Sequence, residues 1–203
     1  MRDWWLRTLL VLQRPRPVFV ALRDESKEDA ADRAEPVLAI VLLGGIAAVL
    51  STHTAGQLLD DSSYDGVLIA VWAFIAGGLY GVFGYFVLGA ILHRGVKALG
   101  SQGNYRRSRH VLAFAATPIA LSLVVWPVKL AVYGGDVFRS GGSDGGSGGY
   151  VFDALEVGFL AWAAALLVVG VRAVHGWTWA RAAAACALAL VVPVLLVVFS
   201  TAL

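Results

Sequence analysis

The chain has 203 residues, 59% of them apolar and only 15% charged, with a formal net charge of +2 at pH 7. Soluble globular proteins carry roughly 45–50% apolar residues. A soluble fold of this size could not cover the surplus, so the composition excludes one and points to an integral membrane protein. The single cysteine, Cys186, excludes an intramolecular disulfide and a multi-cysteine metal site, and its apolar run marks it as a small buried hydrophobe.

The first element is MRDWWLRTLLVLQRPRP. Arg7 interrupts any signal-peptide core and no small-residue cleavage site follows. At about 100° per residue, Asp3, Arg7 and Arg14 share one arc while Trp5, Leu9 and Leu12 lie opposite. That pattern predicts an amphipathic helix in the membrane interface, with Trp4 and Trp5 at headgroup depth. The alternative is a helix packed on the protein's own face. PRPVFVAL and the charged stretch RDESKEDAADRAE follow, the latter a solvated connector. Residues 1–35 thus form an N-terminal segment expected in the cytoplasm.

Residues 36–203 read as a transmembrane domain of five helices, approximately 37–58, 67–92, 111–132, 154–171 and 182–203, each near the ~20 residues a crossing needs. Pro36 suits the first turn of the first helix. The runs are continuously apolar rather than alternating, which predicts helices and not a barrel. The fold class is therefore an all-α integral membrane protein, five transmembrane helices with an N-terminal amphipathic interfacial helix. Fourteen of sixteen Lys and Arg residues fall before the first span, between the second and third, and between the fourth and fifth; Lys129 and Arg139 are the others. The positive-inside rule then places the N-terminus in the cytoplasm and the C-terminus outside. The loop GSQGNYRRSRH, with Arg106, Arg107 and Arg109, becomes a cytoplasmic anchor.

Polar groups at membrane depth each ask for a reason. His53 and Gln57 lie one turn apart near the outer end of the first span; they line a solute path or mark a wetted helix end. Lys129 can snorkel outward, and Glu156 at the same level could pair with it. His93 and His110 bracket the positive loop. Gly77 and Gly81 form a G-x-x-x-G pair, with Gly84 beyond, that admits a close neighbour, either inside the bundle or across a homodimer. Pro118, Pro127 and Pro193 remove donors inside spans and predict kinks. Gly141–Gly145 fits G-x-S-x-G literally, but its flanks are glycine and serine rather than strand and helix, so it reads as chance. No H-E-x-x-H, phosphate loop or paired nucleophile and base occurs, so no enzyme, cofactor, metal or nucleic-acid partner is expected.

Several stretches taken in order carry a family likeness. PRPVFVAL precedes the spans; LHRGVKALGSQGNYRRSRHVLAFAATP supplies His93, Gly100, Gly103, Tyr105, Arg106, Phe114 and Pro118; WAAALLVVGVRAVHGWTWARA supplies Trp162, Gly170, Arg172, Gly176 and Arg181. The chain resembles the Yip domain family, Ypt-interacting-protein-type five-helix membrane proteins, in its bacterial branch. The two glycines of the second loop are spaced apart here, where the family usually has them doubled. Eukaryotic members look like trafficking factors that contact small GTPases through a longer cytoplasmic part; that role does not carry over, whereas the membrane architecture does.

The expected function is non-enzymatic: organising membrane lipid or partner proteins in a bacterial plasma membrane. Trp4, Trp5, Arg106, Arg107, Arg109, Arg172 and Arg181 are the candidate contacts for anionic headgroups or a partner, since each basic residue near such a surface gains about 1 kcal/mol. The alternative is a small transporter or channel, as a monomer or homodimer, with His53, Gln57, His93, Lys129 and Glu156 as its polar path.

Overall fold

The computed structural model describes residues 2–24, 26–146 and 148–202. Among the described residues ten helices follow one another: α1 (Arg2–Leu10), α2 (Pro15–Ala21), α3 (Lys27–Asp32), α4 (Ala34–Leu50), α5 (Gly66–Ala98), α6 (Tyr105–Ala115), α7 (Thr117–Ser122), α8 (Val125–Tyr133), α9 (Gly149–His175) and α10 (Trp179–Ala202). Short 3-10 turns occupy Ala55–Asp60, Gly134–Phe138 and Ser143–Gly145, and there is no strand among the described residues. Four segments, Lys27–Leu50, Gly66–Ala98, Tyr105–Phe138 and Gly149–His175, are long and apolar enough to cross a membrane. Trp179–Val191 is apolar but shorter, and the α10 backbone continues helical to Ala202. Leu203, the last residue of the predicted fifth span, lies outside the described residues.

Local chemistry moves every predicted boundary. The first span was expected to reach residue 58, but α4 stops at Leu50. Ser51 donates its hydroxyl to the Ala47 carbonyl at 3.1 Å and Thr52 to that of Val49 at 2.6 Å. These side chains cap the last turn and offer the backbone an alternative to more helix. α5 outruns the predicted 67–92 at both ends. Asp65 accepts the Leu68 N–H at 2.8 Å to start it, and the charged turn after Leu92 stays helical until Gly100 adopts a positive φ of 84°. Its 33 residues make a rod of about 50 Å, longer than the ~30 Å hydrocarbon layer. α9 likewise extends beyond 154–171, to Gly149 and His175, where Gly176 at φ 67° closes it. α10 begins at Trp179, ahead of residue 182.

The third span, expected as one helix over 111–132, is broken into α6, α7 and α8, starting at the Asn104 cap. The breaks fall just before Pro118 and Pro127, as expected of residues without a donor. Pro193 behaves differently, since α10 runs through it without interruption.

α4 and α5 meet where glycine replaces side chains. A Cβ on Gly45 would fall on the Gly77 carbonyl oxygen, and one on Gly77 would lie 2.6 Å from the Ile46 Cα. A Cβ on Gly81 would meet the Val41 carbonyl. The G-x-x-x-G pair is therefore consumed inside the chain, against Gly45, and not held for a second copy. One core gathers at the arginine-rich end around Trp4, Phe19, Leu22, Val96, Phe114 and Val171. A second, at the opposite end, holds Leu58, Ile69, Trp126 and Phe138. α5 leaves Val67, Phe74, Leu79 and Phe83 exposed, outward apolar surface of the kind a membrane environment suits.

Candidate functional site

The arginine-rich end is where distant parts of the chain converge. α1 is two-faced. Trp4, Thr8 and Val11, spaced four and then three apart, are buried, while Trp5, Leu6, Leu9 and Leu10 face outward. The reading of Trp4 as a headgroup contact is thus corrected: it is 2% exposed and 5.5 Å from the Phe114 ring. Its Nε1 donates to Asp29 at 3.2 Å, and Asp29 also accepts from Arg33 at 2.9 Å. Arg7 and Arg33 lie over its indole at 4.6 and 5.5 Å. Asp29 satisfies the indole N–H, so the ring can be buried without leaving its donor unpaired. Trp5 remains outside, 40% exposed. Nearby, hydrogen bonds from Ser26, with Arg33 adding its charge, hold the Asp24 carboxyl below the usual range.

Two arginines, Arg23 and Arg181, close helix ends, and Arg107 ties down the chain just after α2. The last carbonyls of a helix have no partner within it and carry its partial negative charge. Arg23 donates Nε to Val174 and Nη2 to Ala173, at 3.0 and 2.5 Å, at the end of α9. Arg181 donates Nε to Leu99, the C-cap of α5, at 3.1 Å, with Nη2 on the same oxygen. Arg107 donates to the Arg23 carbonyl at 3.1 Å. Arg181 also covers the Trp177 ring at 4.3 Å. Ser101 links the loop to His175 at 3.4 Å.

Arg109 serves a third purpose. Its guanidinium sits among Tyr85, Phe86 and Tyr105, 4.6–5.1 Å from each ring centroid. A Cβ on Gly89 would fall on its side chain, so that glycine makes the room. Tyr105 anchors the cage by donating to the Phe86 carbonyl at 2.6 Å. Of the loop arginines expected at a lipid surface, then, Arg107 and Arg109 are engaged with protein, while Arg106 is exposed. Arg172 stacks on Trp179 at 4.4 Å.

The residues proposed for a polar path do not line one cavity. His53 and Gln57 lie beyond the end of α4, exposed, with Arg139, Ser140 and Asp144 around a loop cleft of about 360 Å³. Lys129 pairs with Asp144 at 3.5 Å, not with Glu156 as expected, because the glycine-rich loop folds back over α8. Glu156 instead borders a separate, mostly apolar cleft with Ser51 and Ser122. His93 is at the other end, 3.2 Å from the Ser108 hydroxyl and edge-on to Tyr105. Gly84, unlike Gly77 and Gly81, faces open space beside Gly44 in an apolar crevice of about 180 Å³. Ser143 of the G-x-S-x-G stretch donates to Asp136 at 3.0 Å.

Sequence reasoning missed Arg16, Arg23, Phe19 and Trp177. The signal was present: Arg16, Val20 and Arg23 recur at four and three residues beside PRPVF, a helical face.

Long apolar helices with outward apolar faces, joined at a basic end, define a multi-pass helical membrane protein. The sequence model of the Yip1 domain matches residues 9–202, and the chain belongs to that family. No curated protein and no solved structure matches it.

Proposed function

We propose that this chain is a non-enzymatic, five-span protein of a bacterial plasma membrane, N-terminus cytoplasmic and C-terminus outside, that organises anionic lipid or partner proteins at its cytoplasmic face. One observation carries the reading. Arg16, Arg23, Arg106, Arg107, Arg172 and Arg181 collect at one end of the bundle, beside the outward Trp5–Leu6–Leu9–Leu10 face of α1. A basic surface flanked by apolar side chains suits the boundary between anionic headgroups and acyl chains. Membership of the Yip1 domain family supports the membrane architecture.

Phospholipid that stays with the full chain through detergent purification tests the lipid role. Enrichment of anionic over zwitterionic lipid, relative to the source membrane, is expected. A composition equal to the bulk would remove it. A reporter fused after Leu203 tests the threading, and its activity belongs on the outer side.

A further inference from the structure

α2 lies across the last turns of α9. Phe19 seats against Gly170, where a Cβ would come within 2.8 Å of the phenyl ring. That register turns Arg16, Val20 and Arg23 toward Arg172, Ala173, Gly176 and Trp177, with a cleft of about 330 Å³ between the two groups. Among the described residues, three arginines line the cleft and no carboxylate does. Two of the three are held in place. Arg23 is fixed by the Val174 and Ala173 carbonyls, and Arg172 by the face of Trp179. Three cationic side chains brought this close repel one another, and an anion seated between them relieves that repulsion. The fork of a guanidinium matches the oxygens of a phosphate. Val20, 38% exposed, lines the cleft, and Trp179, 55% exposed, lies against Arg172.

We propose that the cleft between α2 and the end of α9 is a binding site for the phosphate of an anionic glycerophospholipid, one whose headgroup carries no compensating cation, held by Arg16, Arg23 and Arg172. The acyl chains would leave past Val20 and Trp179. This rests on the reading of the arginine-rich end as a lipid-organising surface and gives that surface a defined, saturable site.

The full chain in maltoside micelles is titrated with short-chain phosphatidylglycerol, short-chain phosphatidylcholine and inorganic phosphate, with occupancy read by native mass spectrometry. Saturable phosphatidylglycerol binding is expected, and loss of one guanidinium contact in Arg16→Gln or Arg172→Gln weakens it about tenfold. Arg139→Gln, at the opposite end, leaves it unchanged. Equal affinity for phosphatidylcholine overturns the proposal, as do cleft variants that bind like the parent. Inorganic phosphate binding as tightly as the lipid assigns the cleft to a soluble anion and equally overturns it. Arg16 is exposed and outside the core, so Arg16→Gln carries the test if Arg172→Gln does not fold. Bulk anionic enrichment in purified material can persist while the cleft variants have no effect, which separates failure of this site from failure of the broader role.

Discussion

The indole of Trp4 lies 5.5 Å from the ring of Phe114, tilted 41° to it, so the first helix of the chain is pinned to the sixth. The adjacent Trp5 points the other way. Removing a buried Trp side chain typically costs about 3–5 kcal/mol, so Trp4→Ala should lower the thermal midpoint of the purified protein sharply. Trp5→Ala should change stability by less than about 0.5 kcal/mol. Quenching by brominated lipid should fall in Trp5→Ala, and Trp4→Ala should leave it unchanged if α1 stays docked. Equal stability losses in the two variants would sink the assignment.

Two glycines one turn apart on α5 should respond with opposite signs. Gly81→Ala drives a methyl into the Val41 carbonyl and should cost about 1–3 kcal/mol. Gly84→Ala meets nothing closer than Leu88 Cδ1 at 3.9 Å and should gain up to about 1 kcal/mol from helix propensity. Thermal unfolding in micelles reads both. Light scattering should give the same association state for each, since Gly81 packs on its own chain.

The seat of Phe19 is testable as a pair. Gly170→Ala places a Cβ 2.8 Å from Phe19 Cε1 and 3.0 Å from Val111 Cγ1, and should cost about 1–3 kcal/mol. In a Phe19→Leu background the same change should cost at least about 0.5 kcal/mol less, because the two residues touch. Strict additivity would mean that α2 does not sit where the structure has it.

Hydrogen bonding from Ser140, hydroxyl and backbone N–H, holds the Asp60 carboxyl below its ordinary range, and Arg139 adds to it. A lowered carboxyl keeps its tether above the unfolded value and loses it as pH falls through the folded one, so the loss comes below about pH 4. Hydrogen exchange in residues 134–146 should rise in that window, and Asp60→Asn should flatten the rise. An identical profile in the variant would show that Asp60 does not hold the loop.

The apolar runs carried the helical class and four helices long enough to cross a membrane, because span length is a local property. Pro118 and Pro127 broke the third span as a missing donor requires. What stayed hidden depended on partners far away in sequence. WW at positions 4 and 5 reads as a lipid-facing pair, but only the distant Phe114, Asp29 and Arg33 distinguish the two indoles. Lys129 met Asp144 because the loop that carries it folds back, which a count of membrane depth cannot reveal. Gly77 and Gly81 announced a close approach, and Gly45 decided with whom. The cleft arginines were countable in advance, but Arg16 and Arg23 looked like tail residues until Phe19 set the register of α2.

Arg23 reaches carbonyls 150 and 151 residues further along the chain. During translation at about 5–20 residues per second, the seat for α2 does not exist until on the order of ten seconds after α2 itself has left the ribosome. Phe19 lacks its Gly170 seat throughout that interval, and Trp4 waits for the earlier Phe114. Until then α2 has no seat, and the early segment carries the outward apolar side chains of α1 as well as the ones it will later bury.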